Sequence, residues 1–193
     1  MQARLVLRTL FCQRTTEPYH DEVFAIVSSQ HSNGVRSTIV LPRGDGDADG
    51  GRAWDANDSG ALRDRWLRYP LWTGSLNEGE SASVSVILCE SDNTNYETAG
   101  SVIGGLLAST GNPIGVIAGG LVSLASQLLP ANADDVLGAF NVTFECRNGV
   151  VSWTHQVPED SRNRPTYRMK PPENGFFVHL HRDGDYDTYY TVE

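Results

Sequence analysis

Apolar and polar residues alternate with a period of two along most of this chain, which is the pattern of half-buried β-strands. The first stretch, ARLVLRTLFC, sets Leu5, Leu7, Thr9 and Phe11 on one face. Comparable stretches, rich in Val, Ile, Thr, Phe, Tyr and Trp, recur at 22–28, 36–41, 66–72, 82–90, 136–146, 149–157, 175–181 and 186–192. Turn residues separate them. Asn148-Gly149 stands between VTFEC and VVSWTHQV, and Asp183-Gly184 between FFVHLH and YDTYYTV. Both dipeptides favour tight hairpins because both of their residues accept a positive φ. The expectation is a mostly β chain: one domain over 1–193, an antiparallel β-sandwich of about eight strands.

Three stretches break the alternation. Residues 42–61, PRGDGDADGGRAWDANDSGA, are Gly/Asp-rich and predict a long exposed loop. Residues 158–174 are polar and proline-rich and predict a second long connection. The third is uncharged from Thr98 to Ala133 and predicts an apolar helical hairpin inserted over 95–130. Thr94 and Glu97 form a capping box for its first helix. Gly111 can end that helix, Asn112 can cap the second, and Pro113 suits its first turn. Ile114, Ile117, Leu121, Leu124 and Leu128 keep a three–four spacing until Pro130. Small residues repeat every fourth position, Gly100-Gly104-Ala108 and Gly115-Gly119-Ser123, which lets two helix backbones approach closely. Each helix is shorter than the roughly 20 apolar residues that a bilayer crossing needs.

Charge narrows the classes of partner. Twenty-four acidic against fifteen basic residues give a net charge of −9, and no Lys/Arg run is present, so a nucleic-acid backbone is excluded as a partner. Three cysteines, Cys12, Cys89 and Cys146, lack metal-ligand spacing and read as buried thiols on strands, with one disulfide plus a free thiol as the alternative. Arg8 interrupts the first apolar run, so the N-terminal residues read as a strand rather than a cleavable leader. Cytoplasmic residence and a signal-less export route both remain open.

The insert is bracketed by acids. Glu90 and Asp92 precede it, and Asp134 and Asp135 follow it. Carboxylates gathered at loop tips bind hard cations. The segments DEVFAIV (21–27), VSVILCESD (84–92) and DDVLG (134–138) run in the order of the calcium-binding elements of C-two domains, the calcium- and lipid-binding β-sandwiches, and the chain resembles that family over 4–146. The resemblance implies that Asp21, Glu90, Asp92 and Asp134 or Asp135 converge at one tip and coordinate calcium. Asp45, Asp47 and Asp49, followed by Gly50, resemble the opening of an EF-hand loop and are a second calcium candidate, although Ala56 stands where that loop needs a bidentate Glu. His179 and His181 share a strand face and are a transition-metal candidate against a plain surface pair. Asp183, Asp185 and Asp187 read as solvated. The tryptophans read as core, with Trp54, in the acidic loop, a candidate sugar platform.

No Ser, Cys or Thr lies in a nucleophile motif, and no Gly-rich phosphate loop is present, so the expectation is a protein that is not an enzyme. The leading expectation is a calcium-dependent binding module that engages a membrane lipid or a protein partner through acidic loops and the apolar hairpin. The alternative is a metal-independent structural or assembly protein with the hairpin buried in the core or at a subunit interface. A carbohydrate-binding sandwich with structural calcium is the third.

Overall fold

A computed structural model describes residues 1–14, 20–46, 52–57, 65–91, 134–157, 174–180 and 185–193. Ten strands follow one another: β1 (Gln2–Arg14), β2 (His20–His31), β3 (Arg36–Leu41), β4 (Trp54–Asn57), β5 (Arg65–Ser75), β6 (Ser81–Ser91), β7 (Asp134–Arg147), β8 (Val150–Gln156), β9 (Gly175–Leu180) and β10 (Asp185–Val192). All pairings are antiparallel, and no helix occurs among the described residues. Sheet A has the order β5-β1-β10-β9. Sheet B has the order β3-β2-β6-β7-β8, with β4 also paired to β2. The insert predicted over 95–130 lies outside the described residues.

Period-two alternation explains how the sheets meet. Val23, Ala25 and Val27 of β2, Val84, Val86 and Leu88 of β6, and Phe140, Val142 and Phe144 of β7 share one buried cluster with Leu5 and Leu7 of β1, Val178 of β9 and Tyr186 and Tyr190 of β10. Sheet B therefore packs its inner face on sheet A, in the sandwich-like arrangement that the alternation predicts. Aromatic rings bridge the layers. Phe140 meets Phe176 edge-on at 5.5 Å and Tyr190 at 4.5 Å, while Trp72 stacks on Phe144 at 4.8 Å.

The first strand departs from strict alternation. Both of its pairings shift register between Leu7 and Thr9. Leu5 and Leu7 point inward as expected, but beyond the irregularity Leu10 belongs to the core, with Cys12 packed against it, in place of Thr9 and Phe11. An extra residue in one strand reverses which side chains face inward, and this is what happens at Arg8.

A second difference concerns residues 42–61, which are not wholly an exposed loop. Trp54, Asp55, Ala56 and Asn57 form β4 against β2, with Ala53, Trp54 and Ala56 buried. Trp54 sets its ring edge-on against Tyr69 at 5.2 Å, which removes it as a sugar platform.

The β7–β8 hairpin follows its turn chemistry. Asn148 and Gly149 have φ of 55° and 69°, as a tight turn of the primed type demands. Glu78 reaches the same turn and accepts the Asn148 N–H at 2.7 Å and the Gly149 N–H at 3.0 Å. These two bonds, that of Gly149 first, hold its carboxyl below the usual carboxylate range. The Asp183-Gly184 turn lies outside the described residues, but the β9–β10 pairing that it was expected to join is formed.

Candidate functional site

The acidic residues picked out in the sequence fall into three groups. Asp21 and Glu90 belong to sheet B near the end from which β6 leaves. Val23 pairs with Glu90, and Glu90 pairs in turn with Asp135, while Ser91 pairs with Asp134. Partners across a ladder share a face. Glu90 therefore lies on the inward face with Val23, and Asp21, two residues along β2, lies there too.

Both carboxylates are enclosed, each with about 1% of its surface exposed. A bare carboxylate in such a place is costly, so its neighbours decide what it is for. Tyr186 of β10 crosses from sheet A and donates its hydroxyl to Asp21 Oδ2. Burial, then Cys12 and Asp21 beside it, pushes the Tyr186 phenol far up, so it stays protonated as a donor across the working pH range. The register thus brings Asp21 and Glu90 to one end, but Asp21 faces the interior and is held by a tyrosine.

Asp45 stands elsewhere, where the loop after β3 meets β5. Tyr69 donates to Asp45 Oδ1 at 2.9 Å and accepts the Arg43 N–H at 3.3 Å. Desolvation leads the causes that raise the Tyr69 phenol. Asp47, Asp49 and Asp92 lie outside the described residues, and of Asp134 and Asp135 the backbone register alone is described. Calcium requires six to eight oxygens. Among the described residues no three His, Cys, Asp or Glu side chains converge, so these residues alone do not supply that set.

Two side chains behave differently from their sequence reading. His179 and Asp187 are directly opposed on β9 and β10, with Nδ1 and Oδ1 2.8 Å apart and both side chains buried. Asp187 is therefore not solvated, and His179 is engaged by a carboxylate rather than paired on a surface. A two-residue turn at 183–184 would set Leu180 opposite Asp187, so the observed register, displaced by one residue, could not be read from that turn. None of the three cysteines forms a disulfide, and Cys89 and Cys146 are buried and Cys12 partly so, as strand thiols were expected to be.

The outer edge of sheet B was not singled out in the sequence. β8, VVSWTHQ, carries no charge among its seven residues and no proline, and its outward residues Val150, Ser152, Thr154 and Gln156 are exposed. Its inward ring His155 stacks on Phe176 at 4.5 Å with an interplanar angle of 14°. Desolvation there lowers the His155 pKa. The sign follows directly. The unfolded imidazole takes up its proton near pH 6.5 while the folded one resists, so the stability present above pH ~6.5 is lost as pH falls below it. Urea midpoints measured from pH 7.5 to 5 should decline, and His155→Phe should flatten that decline; an unchanged slope would show that the ring is not its source.

Comparison with known proteins adds no family. No family model matches the chain, and no curated protein or solved structure matches it either. Among the described residues no helix is long and apolar enough to cross a membrane.

Proposed function

We propose that this chain is a non-catalytic, metal-independent assembly module that associates with a second copy of itself through β8. The observation that carries this reading is the state of that edge. Among the described residues β8 has a strand neighbour on one side, β7. Natural sheet edges are ordinarily blunted by charge, proline or bulges. β8 has neither charge nor proline, and its pairing with β7 runs without a register shift from Val150 to Gln156. Val150 leaves 62% of its surface in solvent. Antiparallel addition of a second β8 would extend the six-stranded sheet by backbone hydrogen bonds. The helical hairpin forms part of this reading as a buried element of the same chain.

A second reading keeps calcium. It rests on the register that sets Asp134 and Asp135 beside Ser91 and Glu90, two residues along from the strand position opposite Asp21. In that case Asp92 would complete the oxygen set, and the insert would engage a lipid surface or a protein partner, as the resemblance to C-two domains implies. The two readings separate in one pair of measurements. Sedimentation velocity should show a concentration-dependent dimer that Thr154→Lys weakens at least tenfold, and the thermal midpoint should be the same in millimolar calcium and in chelator. A monomer at all concentrations would overturn assembly through β8. A midpoint raised by calcium would restore the metal, since a ligand at a hundred times its dissociation constant adds about 2.7 kcal/mol.

A further inference from the structure

We propose that the β8 association is a closed two-fold dimer in which Trp153 faces the partner's Trp153, an inference that rests on the assembly reading and fixes its register. The inward side chains of β7, Phe140, Val142 and Phe144, are wholly buried. The inward Val151, Trp153 and His155 of β8 are only half-buried. Solvent therefore reaches β8 from its outer edge. The Trp153 indole meets Phe176 of sheet A at 5.5 Å, yet part of its surface stays uncovered there.

Hydrogen-bond parity restricts how a second β8 can add. An antiparallel ladder alternates bonded and non-bonded residue pairs. The two-residue turn at Asn148-Gly149 makes Arg147 and Val150 a bonded pair. Cys146 fixes the same phase: its N–H donates to the Glu80 carbonyl at 3.0 Å, and its own carbonyl accepts the Gly79 N–H at 2.9 Å. Both bonds lie on the side away from β8. Val151, the ladder partner of Cys146, therefore aims its N–H and C=O away from β7, and so does Trp153 two residues on. Val150, Ser152, Thr154 and Gln156 direct theirs at β7. Bonded pairs in the new ladder must then match odd positions with odd positions. A two-fold axis that meets this condition passes through a residue, never between two.

Length selects the residue. With the axis at Trp153 the two strands overlap along all seven positions, Val150 to Gln156. With the axis at Ser152, Gln156 runs against the partner's Asn148 in its turn, and with the axis at Thr154, Val150 lies beyond the end of the facing strand. The side chains favour the same centre. A two-fold sets the axial residue against its own copy, where a charge would meet a like charge. Trp153 instead meets an indole, and each ring covers what the other leaves in water. On the outward face Ser152 stands beside the partner's Thr154, and the exposed Val150 beside the partner's Gln156. The opposite edge of sheet B is β3, which carries Arg36. A contact between β8 and β3 would be head-to-tail and would repeat without end. The two-fold contact uses both copies of β8 and stops at two.

Cysteines at the two exposed central positions read the register in the full-length chain. Ser152 and Thr154 are non-bonded positions of the new ladder, where opposed Cα atoms lie about 4.5 Å apart, within the roughly 4.4–6.8 Å that a disulfide spans. Ser152→Cys and Thr154→Cys chains, mixed in equal amounts and mildly oxidised, should give a disulfide-linked heterodimer, identified by mass spectrometry of the joined peptides. Its yield should exceed that of either variant alone at least tenfold. Efficient bridging by Thr154→Cys alone would move the axis to 154, and by Ser152→Cys alone to 152; either result overturns the pairing at Trp153. Sedimentation velocity of the unaltered chain should show a dimer and nothing larger, and growth beyond two copies would overturn closure. A dimer that forms no bridge in any mixture overturns the register, and its weakening by Thr154→Lys would still keep β8 as the contact. A monomer at all concentrations overturns assembly itself, so the two failures are told apart.

Discussion

Phe140→Ala should lower the stability of this protein by about 3–5 kcal/mol, a large share of what keeps a domain of ordinary stability folded. The ring sits at the centre of sheet B, opposite Val86, and touches Phe176 and Tyr190 of sheet A. Those two rings stack on each other at 5.2 Å, so removing Phe140 leaves a void that neither can fill without breaking its own contact. Backbone ladders on both sides fix β7 between β6 and β8, which limits collapse of the void. For a chain of this size such a loss corresponds to a thermal midpoint lower by roughly 10 °C. Val150→Ala, at an exposed edge position, should stay within about 0.5 kcal/mol. Equal midpoints for the two variants would mean that the aromatic bridge does not hold the layers together.

The second large effect should come from the tyrosine that crosses the sandwich. Tyr186→Phe removes the donor to Asp21 and leaves a buried carboxylate short of a hydrogen bond, at a cost of about 1–3 kcal/mol. Asp21→Ala should cost more, about 3–5 kcal/mol, because it strands the hydroxyl and opens a cavity. The double variant should cost less than the sum, which is the signature of a direct pair. pH supplies an independent readout. The folded phenol titrates above its ordinary value, chiefly through burial, so stability present below pH ~10 is lost as pH rises beyond it. Tyr186→Phe should remove part of that alkaline loss; additive single costs with an unchanged alkaline limb would dissolve the pair.

Much of the fold could be read from the sequence because period-two alternation is a local signal, and nine of the ten strands announce themselves in it. β4 did not, because four residues inside a Gly/Asp-rich run carry almost no composition. Its trace was Trp54 and Ala56 alternating with Asp55 and Asn57. The face reversal at Arg8 was also hidden, since a bulge is set by two partner strands far away in the chain. The acidic end was legible as a grouping but not as an environment. Glu90 and Asp135 do share a register position, yet whether Asp21 meets solvent or Tyr186 depends on β10, 165 residues later. His179 and Asp187 were hidden too: a two-residue turn at 183–184 would set Leu180 opposite Asp187, and the one-residue displacement that brings His179 there carries no sequence signal.

The strand order of sheet A constrains how the chain reaches its folded state. β1 is hydrogen-bonded to β5 on one side and β10 on the other, so Leu7 waits for Tyr69 and then for Tyr190. Sheet B has closer partners: β2 with β3 and β7 with β8 are joined by short turns. Loop closure over long separations slows the search for native pairings, so sheet B should gather first and present its inner face as a template. Until β10 arrives, Leu5, Leu7 and their neighbours have half a sheet to pair with, and the interval is one in which a nascent chain would be prone to association. Stopped-flow refolding should accordingly report Trp72, on β5, later than probes placed on the β7–β8 hairpin.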